Sequence, residues 1–247
     1  MNSILKTLSF IVIILVVLSG LSELNLQNAK IPEVVTEKPN TTTSATFSSI
    51  SLHVPAVDEQ GNGVATTLRV ESKPGRGGTL VDVNQLLFWV DTQNSIRVAK
   101  RVAEEYTKLD LSKIDLIYSV ETNASIIGGP SAGAALTVAT IALVENKTLN
   151  PKVMITGTIN SDGTIGPIGE VVAKAKAAKD IGANIFLVPE GQSVQTYYVP
   201  EESCQQFGSF TYCTTEYTAQ EVDTSKDAGI TVIEVSNIQE ALKYFLS

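Results

Sequence analysis

One segment of the chain, Ser131 to Asn146, constrains the fold more than any other. Its sequence is SAGAALTVATIALVEN, in which small or apolar residues occupy most positions. A helix that is apolar all round has no face to turn towards water, so it is expected at the centre of a domain. The rest of the chain must therefore supply the layers that cover this helix.

The segments before the central helix have strand and turn patterns. Ser49–Val57 and Gly63–Ser72 alternate apolar and polar residues and predict two strands. The turn-forming sequence KPGRGG, Lys73–Gly78, predicts a hairpin between the second strand and Thr79–Val83. Ser95 is a candidate N-cap for a helix that follows.

The remaining segments alternate between strand and helix patterns. Four further strands are predicted, at Ile114–Val120, Val153–Ile159, Asn184–Glu190 and Ile230–Ser236, and two helices, at Gly169–Gly182 and Ile238–Leu246. This order is typical of an α+β or mixed α/β layered domain. With 247 residues, 43% of them hydrophobic, the chain is long enough for one domain with a sizeable core.

Residues 1–27 predict a leader that is separate from the folded domain. Leu8–Leu21 is apolar without a charge, and counted from Ile4 the run reaches about 18 residues, the lower limit for a membrane span. Small residues near its end are also typical of a signal-peptide cleavage site. A cleaved signal peptide and a retained membrane anchor stay open as alternatives. Either one would place the folded domain outside the cytoplasm, membrane-anchored or secreted, with 28–49 as a linker and 50–247 as the domain.

The two cysteines, Cys204 and Cys213, are separated by nine positions in a polar segment. Export would place them in an oxidising compartment, where this spacing closes a small loop. We therefore predict a disulfide, with two free thiols as the alternative. A zinc site is not favoured, because two thiolates do not complete a tetrahedral site and His53 is far away in sequence.

The residue types and motifs in the sequence argue against several kinds of functional site. His53 is the single histidine and lies in an alternating strand pattern, which favours a structural role over a Ser-His-Asp triad. The motif G-x-x-x-x-G-K-[ST] does not occur, so the sequence encodes no P-loop. A net charge of −8 without a basic stripe gives nucleic-acid binding little support. The nucleophilic option that remains is a serine activated by a lysine, and no metal or cofactor is predicted.

Ser131 follows Gly128, Gly129 and Pro130 at the start of the central helix. The two glycines allow a sharp turn, and proline suits the first position of a helix. Unpaired backbone N–H groups at a helix start could bind an oxyanion. At this point a nucleophile, a plain N-cap serine and a phosphate-binding glycine loop all remain possible interpretations.

Lys174 is the candidate general base. Val171, Ala175 and Ala178 mark the predicted buried face of its helix, and Lys174 lies at the edge of that face, whereas Lys176 points away. Burial would lower the pKa of Lys174 and supply the neutral amine that a base needs. The alternative is a lysine that extends from the helix edge into solvent.

These residues together resemble those of a known enzyme family. From about Gly63 to Glu190, with a weaker match to the C-terminus, the chain is similar to the proteolytic domain of Lon-type serine proteases, peptidase family S16. The segments that carry the resemblance are GGPSAGAAL, Gly128–Leu136, and ITGTINSDGTIGPIGEVVAKAKAAKDIGANIFLVPEG, Ile155–Gly191. The resemblance implies the family's α+β, ribosomal protein S5 domain 2-like layered fold with a mixed sheet.

The resemblance also implies roles for single residues. Ser131 would be the nucleophile and Lys174, 43 residues further along, its base. Thr156 would orient Lys174, and Gly129 with Pro130 would form the turn and the oxyanion region. An acyl-enzyme would form on the serine and water would release it. The substrate would be an unfolded polypeptide or a membrane-protein segment that lies as an extended strand against a sheet edge.

The sequence departs from the family pattern at three positions. Gly128 stands where an acidic residue is common, Thr158 replaces the glutamate of T-G-E, and Glu170 replaces the second glycine of P-I-G-G. The G-G-P-S-A-G and T-G-T-I motifs resemble those of membrane-associated Lon-like proteases without an ATPase, so ATP-independent cleavage is expected. Residues 192–227 are predicted to be an insertion.

Further expectations come from the same resemblance. Family members assemble as rings, so a homo-oligomer is expected by analogy. Two other functions stay open on the sequence alone. One is a proteolytically silent Lon-like binding or assembly module, and the other is a phosphate-binding protein like a small-molecule kinase.

Overall fold

The computed structural model describes residues 47–83, 90–122 and 129–246. The strands in these ranges are β1 (Ser48–Val57), β2 (Gly63–Pro74), β3 (Thr79–Val81), β4 (Ile114–Glu121), β5 (Val153–Ile155), β6 (Thr158–Ile159), β7 (Ile165–Gly166), β8 (Ile185–Pro189), β9 (Val194–Phe207), β10 (Phe210–Asp223) and β11 (Thr231–Val235). The helices are α1 (Val90–Thr107), α2 (Gly133–Val144), α3 (Val171–Asp180), α4 (Thr224–Ala228) and α5 (Ile238–Phe245). Short 3₁₀ turns span Leu111–Lys113 and Pro130–Ala132.

Among the described residues, one of the two larger sheets is mixed and the other is parallel. The mixed sheet has the order β1-β2-β4-β3, in which β3 runs parallel to β4 and the other neighbours are antiparallel. The parallel sheet has the order β11-β8-β5. Two short strands, β6 and β7, pair separately. The predicted α+β class with a mixed sheet is therefore confirmed.

The predicted hairpin across Lys73–Gly78 is wrong. Strand β4 pairs with β2 on one side and with β3 on the other, so it lies between the two strands expected to pair. The Asp115 carboxylate at the start of β4 accepts hydrogen bonds from the backbone N–H groups of Arg76 (2.9 Å) and Gly78 (2.7 Å) and holds the loop that crosses it. A turn sequence marks a change of direction but does not determine which strand will pair.

Helix α2 occupies the centre of the core, as the sequence predicts. Every residue from Gly133 to Leu143 is buried, and α1, β1, β2 and α5 pack against the helix. Its polar side chains are paired: the Tyr118 hydroxyl donates to Thr140 Oγ1 (2.9 Å), which donates to the Leu136 carbonyl one turn earlier (2.7 Å). Such pairing removes most of the free-energy penalty of burying hydroxyl groups.

Helix α1 begins earlier than the sequence predicts. Its first residue is Val90, so Ser95 lies inside the helix and is not its N-cap. The Ser95 hydroxyl donates to the carbonyl of Asp91 at 3.0 Å. Serine is common at helix starts, but within a helix it can bond back to the preceding turn instead.

Helix α3 is fixed between the two sheets. Val171, Ala175 and Ala178 are buried, as predicted, and pack with residues of the parallel sheet. On the other side, Gly63 at the start of β2 approaches the helix so closely that a Cβ there would overlap the carbonyl of Ala173. This close contact sets the position of the helix that carries Lys174.

The predicted insertion, 192–227, consists mainly of a long hairpin of β9 and β10. Each strand has 14 residues, and nearly all of their side chains are exposed. Cys204 and Cys213 lie opposite each other and form a disulfide, as predicted. Glu202 lies beside both sulfurs, but bonded sulfurs are not thiolates and cannot serve as metal ligands.

The N-terminal predictions concern residues that are mostly outside the described ranges. The leader, 1–27, and nearly all of the linker belong to this part of the chain. Strand β1 starts at Ser48, two residues before the predicted start of the domain. Among the described residues, the helices are too short or too polar to cross a bilayer.

Candidate active site

Ser131 and Lys174 both line one cleft that is partly open to solvent. One wall consists of residues from β1, β2 and β4, and the others come from the start of α1, from α2 with the turn before it, and from α3. Thr66 and Thr92 contribute further hydroxyl groups, and apart from these and the two candidate residues the lining is glycine or apolar. Lys174 is the single ionisable group among the described residues that line this cleft. The fold thus brings the two residues of the predicted dyad into one mostly apolar space.

Ser131 lies in the 3₁₀ turn that leads into α2. Gly129 precedes it with a φ of 102°, a left-handed conformation that favours glycine, and Pro130 begins the turn, as predicted. The N-cap of the turn is Gly129 and that of α2 is Ala132, so Ser131 is not a capping residue. Its side chain is half-buried at the cleft.

Residues after strand β5 fix the backbone of Ser131. Its carbonyl accepts hydrogen bonds from Gly157 N (2.9 Å) and from the buried hydroxyl of Thr156 (3.3 Å). Ala134 N donates back to the Gly157 carbonyl at 3.0 Å. Thr156 therefore contacts the serine end of the pair, and its predicted role towards Lys174 stays a prediction.

Helix α1 holds the opposite side of the same turn. Thr92 Oγ1 donates to the Gly129 carbonyl at 3.2 Å, and Ser95 Oγ lies 3.5 Å from the Pro130 carbonyl. Neither contact was predictable from the sequence. The available signal was weak, since it consisted of two hydroxyl residues near a helix start and their partners are more than 30 positions away.

Lys174 is buried, with 4% of its surface exposed. Loss of hydration lowers its pKa to about 8, although the nearby Glu170 carboxylate acts in the opposite direction. Its Nζ donates to the Gly169 carbonyl at 3.1 Å. Lys176, two residues further along, is exposed and pairs with Asp227 at 2.7 Å. The prediction of a buried Lys174 is confirmed, and the alternative of a lysine that extends into solvent is wrong.

Glu170, the residue before α3, has a left-handed backbone with φ 57° and ψ 40°. This geometry explains why the family pattern has glycine here, because a side chain in this conformation costs about 1 kcal/mol. Thr158, the second departure, lies in β6 opposite Gly166. Gly128, the third, is outside the described residues.

His53 belongs to a different part of the surface. It is exposed on β1, where Nδ1 lies 3.2 Å from the hydroxyl of Thr67 on the paired strand. It is not among the described residues that line the cleft. This placement fits the predicted structural role.

The arrangement can support nucleophilic chemistry. Near pH 8 a substantial fraction of Lys174 is the neutral amine, which can accept a proton. A serine hydroxyl and such an amine at the same cleft are the two groups that this kind of covalent catalysis requires. Backbone N–H groups of the turn around Ser131 lie at the same cleft and could stabilise an oxyanion.

Comparison with known proteins identifies several similar sequences. The chain is similar to the Lon protease of Fervidobacterium nodosum, with 32% identity over 143 residues that cover 55% of this chain and 17% of the relative. It is also similar to the Lon protease of Methanosarcina barkeri, with 30% identity over 106 residues, 43% of this chain and 13% of the relative. The archaeal Lon protease of Thermoplasma acidophilum is 32% identical over 89 residues, 36% of this chain and 14% of the relative.

The matches cover only part of this chain and a small part of each relative. The chain spans only 13 to 17% of the length of these curated relatives. Residues 95–222, just over half of the 247 residues, match the family described as the Lon protease (S16) C-terminal proteolytic domain. This range includes Ser131, Thr156 and Lys174. The chain therefore belongs to the Lon proteolytic-domain family, a family of serine peptidases.

Proposed function

We propose that this chain is a serine endopeptidase in which Ser131 is the nucleophile and Lys174 its general base. The observation that carries the proposal is the cleft that contains both a half-buried serine and a buried lysine whose pKa is lowered to about 8. Family membership supports the same reaction class. The exclusion of Ser131 from both N-cap positions removes the main competing explanation for this serine.

The proposed reaction has two halves. The Ser131 oxygen attacks the carbonyl carbon of the peptide bond while its proton passes to the neutral amine of Lys174. The ammonium then donates this proton to the leaving amine, which departs and leaves an ester on Ser131. A water molecule attacks the ester, Lys174 accepts the proton of the water, and the proton returns to Ser131 as the carboxylic product leaves. Backbone N–H groups around Gly129 and Ser131 would hold the negative oxygen in each half.

The proposed substrate is an unfolded polypeptide or a loop of a membrane protein. Strand β1 lies at an edge of the mixed sheet and lines the cleft, which supports binding of an extended segment along it. The mostly apolar lining suits a segment without charge at this point. Cleavage by these 247 residues is proposed not to use ATP, because they contain no P-loop motif.

The proposed location is outside the cytoplasm, either anchored to a membrane or secreted. The Cys204–Cys213 disulfide supports an oxidising compartment, and the apolar leader predicted from the sequence supports export. A homo-oligomeric ring is proposed by analogy with the family. Light scattering on the full chain would measure the assembly, and a monomer would contradict the ring.

The test is cleavage of a denatured, fluorescently quenched protein by wild type, Ser131→Ala and Lys174→Ala, with Lys176→Ala as the matched control. We expect cleavage by wild type and Lys176→Ala and none above background by the other two. No cleavage by wild type across several denatured substrates would favour the silent binding module. Cleavage by Ser131→Ala would refute the dyad, and micromolar nucleotide binding by calorimetry would favour the kinase-like alternative.

A further inference from the structure

We propose that Gln192 is a positioning residue for Lys174. Its side-chain amide holds the backbone of Ile168 and thereby fixes the neighbouring Gly169 carbonyl, which orients the lysine amine. This inference rests on the proposed function, because it assigns a role within the same site.

The contacts of Gln192 form a two-point clamp. Its Oε1 accepts a hydrogen bond from Ile168 N at 2.9 Å, and its Nε2 donates to the Ile168 carbonyl at 2.8 Å. A side-chain amide that pairs with both backbone groups of one residue restrains the position and the rotation of that residue. The next peptide unit along the chain carries the Gly169 carbonyl, to which Lys174 Nζ donates at 3.1 Å.

The clamped residue Ile168 packs partly against the apolar cluster between α3 and the parallel sheet, but the residues on either side of it have little packing. Gly169 is exposed, and a Cβ placed there would meet no atom within 4 Å. Pro167 is also exposed, and Glu170 adopts a left-handed backbone. Side-chain packing therefore reaches Ile168 but not Gly169, and the hydrogen bonds of Gln192 add a direct restraint on the backbone that leads to the Gly169 carbonyl.

The direction of the Gly169 carbonyl matters for the base. A neutral amine has two N–H groups and one lone pair, so a fixed acceptor for one N–H restricts the directions that the lone pair can take. Proton transfer from Ser131 needs that lone pair aimed at the hydroxyl. A displacement of about 1 Å in a catalytic group can lower a rate by about a hundredfold.

Gln192 is itself well anchored at the base of the β9–β10 hairpin. Its backbone N–H donates to the Pro189 carbonyl at the end of β8 (3.1 Å), and its carbonyl accepts from Gln195 Nε2 (2.8 Å). The adjacent Ser193 N donates to the carboxylate of Glu234 in β11 at 2.8 Å. The clamp therefore connects the parallel sheet to the segment in front of Lys174.

The first experiment compares Gln192→Ala, Gln192→Glu and the control Gln220→Ala, an exposed glutamine of the hairpin. In Gln192→Ala we expect kcat to fall about tenfold to a hundredfold with KM changed less than about twofold, since the cleft that binds substrate is untouched. Gln192→Glu keeps the acceptor but loses the donor, so a smaller fall is expected. Gln220→Ala should match wild type, and equal rates in all four proteins would overturn the proposal.

The second measurement reads Lys174 without relying on cleavage. In a Ser131→Ala background, the pH dependence of acetylation by acetic anhydride, followed by mass spectrometry, gives the pKa of Lys174. Glu170, the charged group beside the lysine, is unchanged in these variants. Adding Gln192→Ala should shift the midpoint to lower pH, because the buried ammonium loses a well-placed acceptor.

The outcomes separate the two proposals. An unchanged or higher midpoint in a chain that unfolds at the same temperature as its parent would overturn the role of Gln192. Cleavage by Ser131→Ala would instead refute the proposed function, while the labelling would still report on the link between Gln192 and Lys174.

Discussion

The Lys174 cleft and the β9–β10 hairpin expose their side chains in opposite ways. Lys174, a charged residue type, is 4% exposed, whereas the aromatic residues Tyr198 and Tyr217 of the hairpin are 68% and 69% exposed. Both reverse the usual preference of these residue types. The surrounding fold keeps Lys174 buried, and this burial lowers its pKa. The exposed aromatic rings of the hairpin, in contrast, contribute little to the core. Substitutions should therefore change chemistry in the cleft and leave it unchanged in the hairpin.

The strongest test of this contrast replaces each lysine of α3 by an apolar residue of similar length. Lys174→Met should lower kcat/KM by about 10²- to 10⁴-fold, the usual contribution of a general base. Lys176→Met removes only an exposed ion pair with Asp227 and should stay within about twofold of wild type. Initial rates on a denatured substrate at pH 8 provide the measurement. Comparable losses in the two variants would show that burial does not distinguish these lysines.

The pH dependence of cleavage is expected to reflect the buried amine. With a lysine pKa of about 8, kcat/KM should rise about tenfold per pH unit below this value and level off above it. A protein at pH 7 should then work at about a tenth of its maximal rate. Rates measured from pH 6 to 9.5 at constant ionic strength test this, and a flat profile would count against a lysine base.

Glu170→Gly and Glu170→Ala separate backbone strain from charge. Both remove the carboxylate that raises the pKa of Lys174, so both should shift the rising limb of the pH profile to lower pH. Only glycine also relieves the left-handed conformation, so its free energy of unfolding should exceed that of the alanine variant by about 1 kcal/mol. Urea unfolding measures the difference. Equal stabilities would mean that the conformation is not strained.

The smallest effect on activity is expected in the hairpin. The double change Cys204→Ser and Cys213→Ser should lower the free energy of unfolding by about 2 to 3 kcal/mol, because the unfolded chain gains the entropy of an open loop. It should leave kcat/KM within about twofold, because these side chains are exposed and outside the cleft. Limited proteolysis should nevertheless cut the hairpin faster, since its strands lose their cross-link. A tenfold loss of activity would show that the hairpin and the cleft are not separate.

Elements with one strong pattern were predictable from the sequence. The uninterrupted apolar run of α2 indicated a central helix, and the spacing of Val171, Ala175 and Ala178 indicated which face of α3 is buried. Strands β9 and β10 were missed because both of their faces are exposed, so their residues do not alternate. Their signal was instead an excess of β-branched and aromatic residues around the turn at Gly208.

The reacting groups of the candidate site were predictable from the sequence, but the hydrogen bonds that hold the backbone around them were not. Ser131 and Lys174 followed from elimination and from the motifs of the resemblance. Thr92 and Gln192 act on backbone groups at positions 129 and 168, and a hydrogen bond to a distant backbone group leaves no periodic trace in the sequence. The prediction of a hairpin between β2 and β3 was wrong for a similar reason, because the strand with which a given strand pairs depends on the whole sheet.

The burial of Lys174 also affects the folding equilibrium. In the unfolded chain its pKa returns to about 10.5, so between pH 8 and 10.5 the unfolded state binds more protons than the folded state. The free energy of unfolding therefore increases as the pH rises through that interval. Below pH 8 both states are protonated, and the folded state carries the full penalty of a buried ammonium, about 3 kcal/mol. Conditions that free the amine for proton transfer therefore also relieve a strain on the native state.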